Sequence, residues 1–227
     1  MSYRYILGDT ETTGPTTNDK AVEMAWMELN DSLEVVDRQH SLIDPQMKIS
    51  SGASGVHGLT NVDVEDAPTI EEFFGEVLER PLDGDVILIA HNVVFDLRYY
   101  GPWIPTLAGT LCTLRLSRRV WPEAENHKLS TLMYELGLTR GQSHRASGDV
   151  ETTYDLLRRI VDKTGKSLPE LAAESMQPIV VKTMPFGKHK GAELKDVPMA
   201  YFDWLLKQGS VDRDLAYSIE LLKAGKR

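Results

Sequence analysis

The chain has 227 residues, of which 41% are hydrophobic and 26% are charged, close to the values of soluble globular proteins. No apolar run approaches the ~20 residues that span a bilayer, and the N-terminus lacks the pattern of a secretory signal. We therefore expect a soluble, cytoplasmic protein without a membrane partner. The net charge of −9 argues against a protein that coats nucleic acid through bulk electrostatics.

The charge is uneven along the chain. From residue 176 onward, 9 Lys and Arg stand against 6 Asp and Glu, whereas the residues before it hold 16 against 28. The acidic first part can still receive a polyanion if bound cations lie between them. Cys112 is the only cysteine, which excludes an internal disulfide, and we expect a half-buried free thiol.

The first part of the chain predicts three strands, a loop and a helix. Short stretches rich in β-branched and aromatic residues predict strands over 3–9, 21–29 and 34–43, arranged as an antiparallel meander. Residues 51–68 are polar and glycine-rich and predict a loop. Residues 69–80 carry the i, i+3, i+4 apolar stripe of a helix.

A second group of elements follows. The continuous apolar run over 85–92 predicts a strand that is covered on both faces. The later segments 94–100, 113–120, 129–136 and 146–162 have helical patterns. The order β-β-β-α-β followed by helices indicates an α/β sandwich with a mixed sheet.

The end of the chain predicts a separate module. Gly165 has the position of a helix C′ residue, and residues 167–170 have the spacing of a capping box. We predict a first domain over 1–165, a linker helix over 166–176 and a small α+β module over 177–227. Within the module, the helical pattern places Trp204 in the core.

Two carboxylates lie at the end of the first predicted strand. Asp9 and Glu11 are two residues apart, so both side chains can point to the same side of the sheet. At ~4 Å they would repel each other by roughly 4 kcal/mol at an effective dielectric constant near 20. A divalent cation such as Mg²⁺ offsets this repulsion. Taken alone, the D-x-E pattern also fits a solvated strand end.

Two further carboxylates begin predicted helices. Asp96 follows the buried strand in the stretch HNVVFD, where it also fits a helix cap. Asp149 lies five residues after His144 in SHRASGD, where it also fits an acidic residue that stabilises a helix N-terminus. Each of the three patterns, around Asp9, Asp96 and Asp149, is weak evidence by itself. Their order along the chain is more specific.

In order and spacing, D-x-E-T-T-G, H-N-x-x-F-D and H-R-A-x-x-D resemble the three motifs of the DnaQ-like (DEDDh) 3′→5′ exonucleases, over roughly residues 3–162. Arg145 stands where the tyrosine branch would need a tyrosine. The stretches VHGLT, LRLSRRVWP, HKLSTL and FGKHKG further resemble the exonuclease X group of bacterial and phage DNA exonucleases. The resemblance implies a ribonuclease H-like α/β fold with a mixed five-stranded sheet and flanking helices, followed by the small module.

The resemblance also implies a catalytic set. Asp9, Glu11, Asp96 and Asp149 would hold two divalent ions, Mg²⁺ or Mn²⁺, with Asp9 as the bridge. Two such ions ~3.5–4 Å apart stabilise both the attacking and the leaving oxygen of a phosphodiester displacement. His144 would be the general base, because the ordinary pKa of imidazole, ~6.5, lies near the working pH. A surface histidine beside Arg145 is the alternative reading.

A third implication concerns the terminal nucleotide. The turn after the metal ligands would offer backbone N–H groups and close approach, and two flanking loops would pack against the base. The residues expected there are Thr12, Thr13, Gly14, His57, Leu59, Asn92 and Phe95, each of which also fits an ordinary loop residue. The arginines of RLSRR, Arg115, Arg118 and Arg119, would track the DNA backbone or form a solvated helix face. Lys188, His189 and Lys190 would contact duplex phosphates.

The expected function is metal-dependent hydrolysis of DNA from the 3′ end, on single strands or at the 3′ ends of duplexes, with release of 5′-mononucleotides. Two alternatives stay open: an enzyme that trims RNA, and a proofreading or adaptor exonuclease subunit that docks a polymerase. A catalytically silent binding module is disfavoured, because all five active-site positions hold competent residues.

Overall fold

The computed structural model describes residues 3–139, 141, 144–209 and 211–225. The chain divides into two units, residues 1–176 and 177–227. A five-stranded sheet in the order β3-β2-β1-β4-β5 forms the centre of the first unit. Its strands are β1 (Arg4–Thr12), β2 (Ala21–Leu29), β3 (Val35–Leu42), β4 (Asp85–Ala90) and β5 (Thr106–Cys112). β1, β2 and β3 pair antiparallel, whereas β4 is parallel to both β1 and β5, so the predicted mixed sheet and α/β class are confirmed.

Eight α-helices of the first unit connect or cover these strands. They are α1 (Ser51–His57), α2 (Asn61–Val64), α3 (Ile70–Glu72), α4 (Val93–Tyr100), α5 (Thr113–Val120), α6 (Leu129–Glu135), α7 (Ala146–Thr164) and α8 (Leu168–Ser175), within the part of the chain that is described. A π-helical turn, Phe73–Val77, continues α3, and a 3₁₀ turn, Gly101–Trp103, continues α4.

Both faces of β1, β2 and β4 are buried, as the apolar run over 85–92 predicts for β4. Tyr5 and Leu7 enter one core cluster and Ile6 the other, because successive strand residues point to opposite faces. α7 and α8 contribute to the first cluster, whereas Tyr100 brings α4 into the second. The sheet therefore holds the starts of α4 and α7 close to the carboxyl end of β1.

Four details differ from the expectations. Residues 51–68 contain α1 and α2 instead of an unbroken loop, because Ser50 and the Thr60–Asp63 pair cap two short helices. The fifth strand lies at 106–112, where small and exposed residues hide the pattern of a strand. Cys112 is fully buried and free. The segment predicted as a linker helix is α8, and it packs into the core of the first unit through Leu168 and Leu171.

The second unit has a core of its own. An isolated bridge joins Thr183 to Glu193, a 3₁₀ turn spans Leu194–Asp196, and two helices follow, α9 (Met199–Lys207) and α10 (Arg213–Lys223). The core residues are Met184, Leu194, Val197, Phe202, Leu205, Leu215 and Ile219.

The placement of Trp204 in this core is wrong. The side chain is 53% exposed, because Phe202 and Leu205 form the buried face of α9. Within the described residues, no helix has both the length and the apolar character to cross a bilayer.

Candidate active site

The carboxylates of β1 meet a carboxylate from α7. Asp9 and Glu11 lie near the carboxyl end of β1, and Asp149 lies in the first turn of α7. One carboxylate oxygen from each of these three residues lies within 4.8 Å of the other two. The fold thus brings together three predicted metal ligands that are up to 140 positions apart in the sequence.

Asp96, the fourth predicted ligand, lies in the first turn of α4 and is only 2% exposed. Its Oδ1 atom has no hydrogen-bond partner among the described residues. Such an unsatisfied buried oxygen is costly unless a cation or a donor satisfies it. Asp96 lies outside the group of three, but its charge acts strongly on Asp9. Carboxylate oxygens are the donors that Mg²⁺ and Mn²⁺ favour, so the group of three with Asp96 near Asp9 fits divalent ions.

Burial, with repulsion from neighbouring carboxylates, raises the pKa values of all four carboxyl groups. Burial raises the pKa of Asp9 well above its ordinary value, and the charges of Asp96, Asp149 and Glu11 raise it further. Burial, with Asp149 and Glu23, raises the pKa of Glu11 to about 7 against the opposing effect of Arg145. Burial also raises the pKa of Asp96 and of Asp149. Full ionisation of the group therefore requires positive charge.

His144 lies two residues before α7, and its side chain is exposed. Its backbone N–H donates to Oδ2 of Asp149 over 3.2 Å. The φ angle of His144 is 60°, in the left-handed region that residues other than glycine seldom adopt. The structure thus places the backbone of His144 against Asp149 and leaves its side chain exposed to solvent.

Glu23 is a residue of the site that the sequence analysis missed. It lies on β2 directly opposite Glu11 and is fully buried. Its carboxylate accepts hydrogen bonds from Nε and Nη2 of Arg145 and from the backbone N–H of Ala146, the first residue of α7. Nε2 of His40 lies 2.7 Å from its Oε1. Glu23 therefore fixes the start of α7, between His144 and Asp149, against the sheet.

Charge balance explains why Glu23 can be buried. Burial raises the pKa of Glu23, but the hydrogen bonds from Arg145 and His40 outweigh this effect and lower it below the ordinary value. The carboxylate therefore stays ionised at neutral pH. The sequence contained one indication of this role: Glu23 lies within the apolar stretch AVEMAWMEL, and a buried glutamate requires a cationic partner.

The predicted nucleotide-binding turn is closed by its own hydrogen bonds. The Thr12 hydroxyl donates to the carbonyl oxygen of Gly14 over 2.8 Å, and the Thr13 hydroxyl donates to Oδ1 of Asp19 over 2.8 Å. A Cβ atom on Gly14 would lie 2.7 Å from the same Asp19 oxygen, so a larger residue would displace the Asp19 carboxylate. The two hydroxyl groups thus stabilise the turn.

His57 supports this turn from behind. Its Nδ1 accepts the backbone N–H of Leu59, so Nε2 carries the hydrogen that is donated to the carbonyl oxygen of Thr12 over 3.1 Å. Burial lowers the pKa of His57, which favours the neutral ring. Leu59 is buried beside Val22 and Ile49. Both side chains are buried, so the structure corrects the expectation that they pack against the terminal base.

The remaining predicted contacts are more accessible. Asn92 is exposed, and Phe95 is partly buried with the guanidinium carbon of Arg98 4.6 Å from its ring centre. Arg115 uses its Nε to bind the carbonyl oxygen of Ser175 over 2.6 Å, so it joins α5 to α8, whereas Arg118 is exposed.

Together, the mixed sheet and the carboxylates at the end of β1 and at the starts of α4 and α7 define a ribonuclease H-like nuclease fold with the DEDDh arrangement. The family model RNase_T, described as Exonuclease, matches residues 6–157. The chain therefore belongs to this exonuclease family. A second family model, described as Putative quorum-sensing-regulated virulence factor, matches residues 172–223.

Two kinds of curated relative resemble the chain. Exodeoxyribonuclease 10 of Escherichia coli K12 is 30% identical over 207 residues, which are 87% of this chain and 88% of that protein. DNA polymerase III PolC-type of Bacillus cereus is 32% identical over 164 residues, or 69% of this chain. The chain spans only 11% of the length of that polymerase.

Solved structures share the fold. A structure of exonuclease X in complex with 5′ overhanging duplex DNA has a TM-score of 0.62 and 27% identity, and the match covers 75% of this chain and 99% of that one. Escherichia coli exonuclease I in complex with a dT13 oligonucleotide has a TM-score of 0.59 at 16% identity, over 76% of this chain and 43% of that one. At this lower identity, the second match supports the fold alone.

Proposed function

We propose that this chain hydrolyses DNA from the 3′ end and releases 5′-mononucleotides, with two divalent ions, Mg²⁺ or Mn²⁺, at the cluster of Asp9, Glu11, Asp96 and Asp149. The observation that carries the proposal is the convergence of carboxylate oxygens from Asp9, Glu11 and Asp149 within 4.8 Å. Beside them lies the unsatisfied Oδ1 of buried Asp96. When bound, the ions neutralise the phosphate and the carboxylates and help to activate water.

The side chains of the protein have separate roles in the proposed reaction. The four carboxylates would hold the ions, with Asp9 proposed as the ligand that the two share. His144 accepts the proton of the attacking water at a ring nitrogen, a role that its exposed position beside Asp149 permits. Glu23 and Arg145 hold His144 and the start of α7 in place.

The terminal nucleotide would lie beside the turn formed by Thr12, Thr13 and Gly14. Exposed Asn92 and partly buried Phe95 are the accessible contacts, whereas His57 and Leu59 support the turn from the interior. Backbone N–H groups and a ring face do not read base identity, which suits an enzyme that removes any nucleotide.

DNA is the proposed substrate because exodeoxyribonuclease 10, a relative at 30% identity across 87% of this chain, is named for it. Exonuclease X, at 27% identity, was solved with duplex DNA. The similarity to PolC-type polymerases favours a second candidate, a proofreading exonuclease that acts together with a polymerase. An autonomous enzyme works at its full rate alone, whereas an accessory one gains rate from its polymerase.

The test uses oligonucleotides labelled at either end, single- and double-stranded, as DNA and as RNA of one sequence. We expect a 5′-labelled DNA strand to shorten stepwise with Mg²⁺ and a 3′-labelled one to release labelled mononucleotide at once. Chelator or Asp9→Asn should stop both reactions. Shortening from the 5′ end, or undiminished cleavage in chelator, would contradict the proposal, and faster loss of the RNA would assign the activity to RNA trimming.

A further inference from the structure

The second unit carries aromatic rings on its surface, and the nuclease proposal assigns no role to them. Trp204 is 53% exposed. Its ring lies 5.6 Å from that of Tyr201 at an interplanar angle of 35°, and the Tyr201 ring lies 4.6 Å from that of His189, edge to face. We call His189, Tyr201 and Trp204 the aromatic strip. Trp204 is not part of the apolar core of this unit, so its exposed ring calls for another explanation.

A basic turn lies against this strip. The backbone N–H of Gly191 donates to the carbonyl oxygen of Met184, and that of Lys190 donates to the carbonyl oxygen of Gly187. These two hydrogen bonds close residues 184–191 into a compact turn. Gly187 has a φ angle of 74°, and a Cβ atom there would lie 2.6 Å from the Tyr201 hydroxyl. The glycine thus lets the turn approach the strip closely. The turn carries Lys188 and Lys190, one on each side of His189.

The lysines of this turn have no acidic partner among the residues that the structure describes. Lys188 and Lys190 are exposed, and neither forms an ion pair with a described residue. By contrast, Lys223 pairs with Asp203 over 2.6 Å. From residue 177 onward the chain carries 9 basic and 6 acidic residues. The turn beside the aromatic strip therefore presents two lysine charges that no ion pair among the described residues neutralises.

We propose that the aromatic strip and the basic turn bind an unpaired polynucleotide strand, with bases stacked on Trp204 and Tyr201 and phosphates near Lys188 and Lys190. Alternating apolar base faces and anionic phosphates complement rings flanked by unpaired lysines. A duplex offers the phosphates but keeps its base faces stacked, so the exposed rings favour an unpaired strand. This differs from the duplex contact that the sequence predicts for Lys188–Lys190.

The proposal is tested by fluorescence anisotropy with the full chain carrying Asp9→Asn, in chelator, so that no strand is cut. The probes are a labelled oligothymidylate, an oligouridylate and a DNA duplex. Trp204→Leu keeps an apolar side chain but loses the stacking face, and Trp204→Phe keeps a ring. We expect Trp204→Leu to weaken oligothymidylate binding about 5- to 100-fold, Trp204→Phe to retain most of it, and duplex binding to change little. The oligouridylate shows whether the surface distinguishes DNA from RNA.

The lysines are tested by the salt dependence of binding. Lys188→Ala with Lys190→Ala should reduce the slope of log affinity against log salt by about 1.4, since each phosphate contact on a single strand contributes about 0.7. Lys182→Ala with Arg213→Ala removes the same charge from the same unit and should change the slope less. Met199→Ala, an exposed apolar residue elsewhere on α9, should leave binding unchanged.

Each opposite outcome overturns the proposal. Undiminished binding by Trp204→Leu would assign the strip to an apolar partner such as another protein, and equal slopes for the two double variants would reduce the basic turn to general charge. Cleavage of a dinucleotide by Trp204→Leu in the otherwise wild-type chain should match wild type. If neither wild type nor the variant cleaves DNA, the proposed function is refuted, whereas the binding result for the second unit still stands.

Discussion

Glu23 connects β2 to the start of α7, and its carboxylate is saturated with donors. Arg145 and Ala146 both bind it, and these two residues directly follow His144 in the chain. Removing one partner of a buried ion pair commonly costs about 3–5 kcal/mol of stability, because the other charge stays buried and unpaired. At this position, the same loss should also displace His144, the proposed general base.

We expect Glu23→Gln to lower kcat on DNA by about 10- to 100-fold with little change in KM, the usual effect of losing a group that orients a metal site. The matched control is Glu28→Gln, because Glu28 is also buried on β2 but pairs with Arg4 and Arg80. It should lower the melting temperature and leave kcat nearly unchanged. Equal loss of kcat in both variants would reduce Glu23 to a stabilising residue.

His144→Ala should lower kcat by about 10²–10⁴, the usual contribution of a general base, and leave Mn²⁺ affinity nearly unchanged. The measurements are single-turnover cleavage and calorimetric titration with Mn²⁺. Imidazole added to the buffer should restore part of the rate. A variant that cleaves DNA at the wild-type rate would remove His144 from the mechanism.

At the scale of elements, Tyr100 holds α4 against β1. Its hydroxyl donates to the carbonyl oxygens of Asp9, over 3.1 Å, and Ala25, over 2.7 Å. A Cβ atom on Gly8 would lie 2.7 Å from Cζ of Tyr100, so only glycine permits this contact. Because α4 also carries Asp96, the contact sets the separation between Asp96 and Asp9.

We therefore expect Gly8→Ala to reduce the free energy of unfolding by about 1–3 kcal/mol, the cost of overpacking a core, and to weaken Mn²⁺ binding. Gly109→Ala on β5 is the control, because the nearest atom to a Cβ there is 3.9 Å away. Urea unfolding and Mn²⁺ titration measure both effects. Unchanged Mn²⁺ affinity in Gly8→Ala would show that the Tyr100 contact does not position Asp96.

The elements that the sequence predicts are those whose pattern is local. β1, β2 and β4 are apolar strands, β3 begins with two β-branched residues, and α7 carries a long periodic stripe, so these elements are visible from the local pattern. α1 and α2 depend on caps at Ser50 and Thr60 more than on a stripe, and β5 contains Gly109 and exposed residues. These elements are stabilised by neighbours that a local pattern does not contain.

The residues of the candidate site also differ in whether the sequence alone indicates them. Asp9, Glu11, Asp96 and Asp149 lie at the ends of visible elements, and the resemblance of their order and spacing to the DEDDh motifs identifies them as candidates. Glu23 is unremarkable until Arg145, 122 positions away, reaches it. The exposure of Trp204 likewise depends on which face of α9 the rest of the second unit covers. Long-range pairings of this kind require the three-dimensional structure.

At the scale of the whole molecule, the four clustered carboxyl groups link stability to pH. Their pKa values in the folded, metal-free protein are raised above the unfolded values of about 4. Such groups favour folding fully below the unfolded pKa, and this contribution is lost as the pH rises through the folded pKa. For Glu11, whose folded pKa is about 7, the loss extends over roughly pH 4 to 7.

Bound cations should offset this loss, because they bind the ionised carboxylates of the folded state. We expect the melting temperature with Mg²⁺ to exceed that in chelator by a margin that grows from pH 5 to pH 7.5. The difference between the two conditions cancels most groups outside the site. Asp9→Asn is the control and should shrink the margin, whereas a margin independent of pH would contradict the linkage.

Charge also distinguishes the two units. The first unit is strongly acidic, with 16 basic and 28 acidic residues before residue 176, so it needs cations to receive a polyanion, whereas the second is basic. We propose that the first unit cuts the strand with the help of bound metal and that the second unit binds the strand without metal. Strand binding by the second unit should therefore survive chelation, although cleavage does not.

The most direct test of the central claim is the anomalous diffraction of crystals grown with Mn²⁺ and a 5′-mononucleotide. We expect two Mn²⁺ peaks, held by oxygens of Asp9, Glu11, Asp96 and Asp149 at about 2 Å. The phosphate should lie between the ions and His144. Mn²⁺ bound elsewhere, with this cluster empty in crystals of an active preparation, would contradict the central claim.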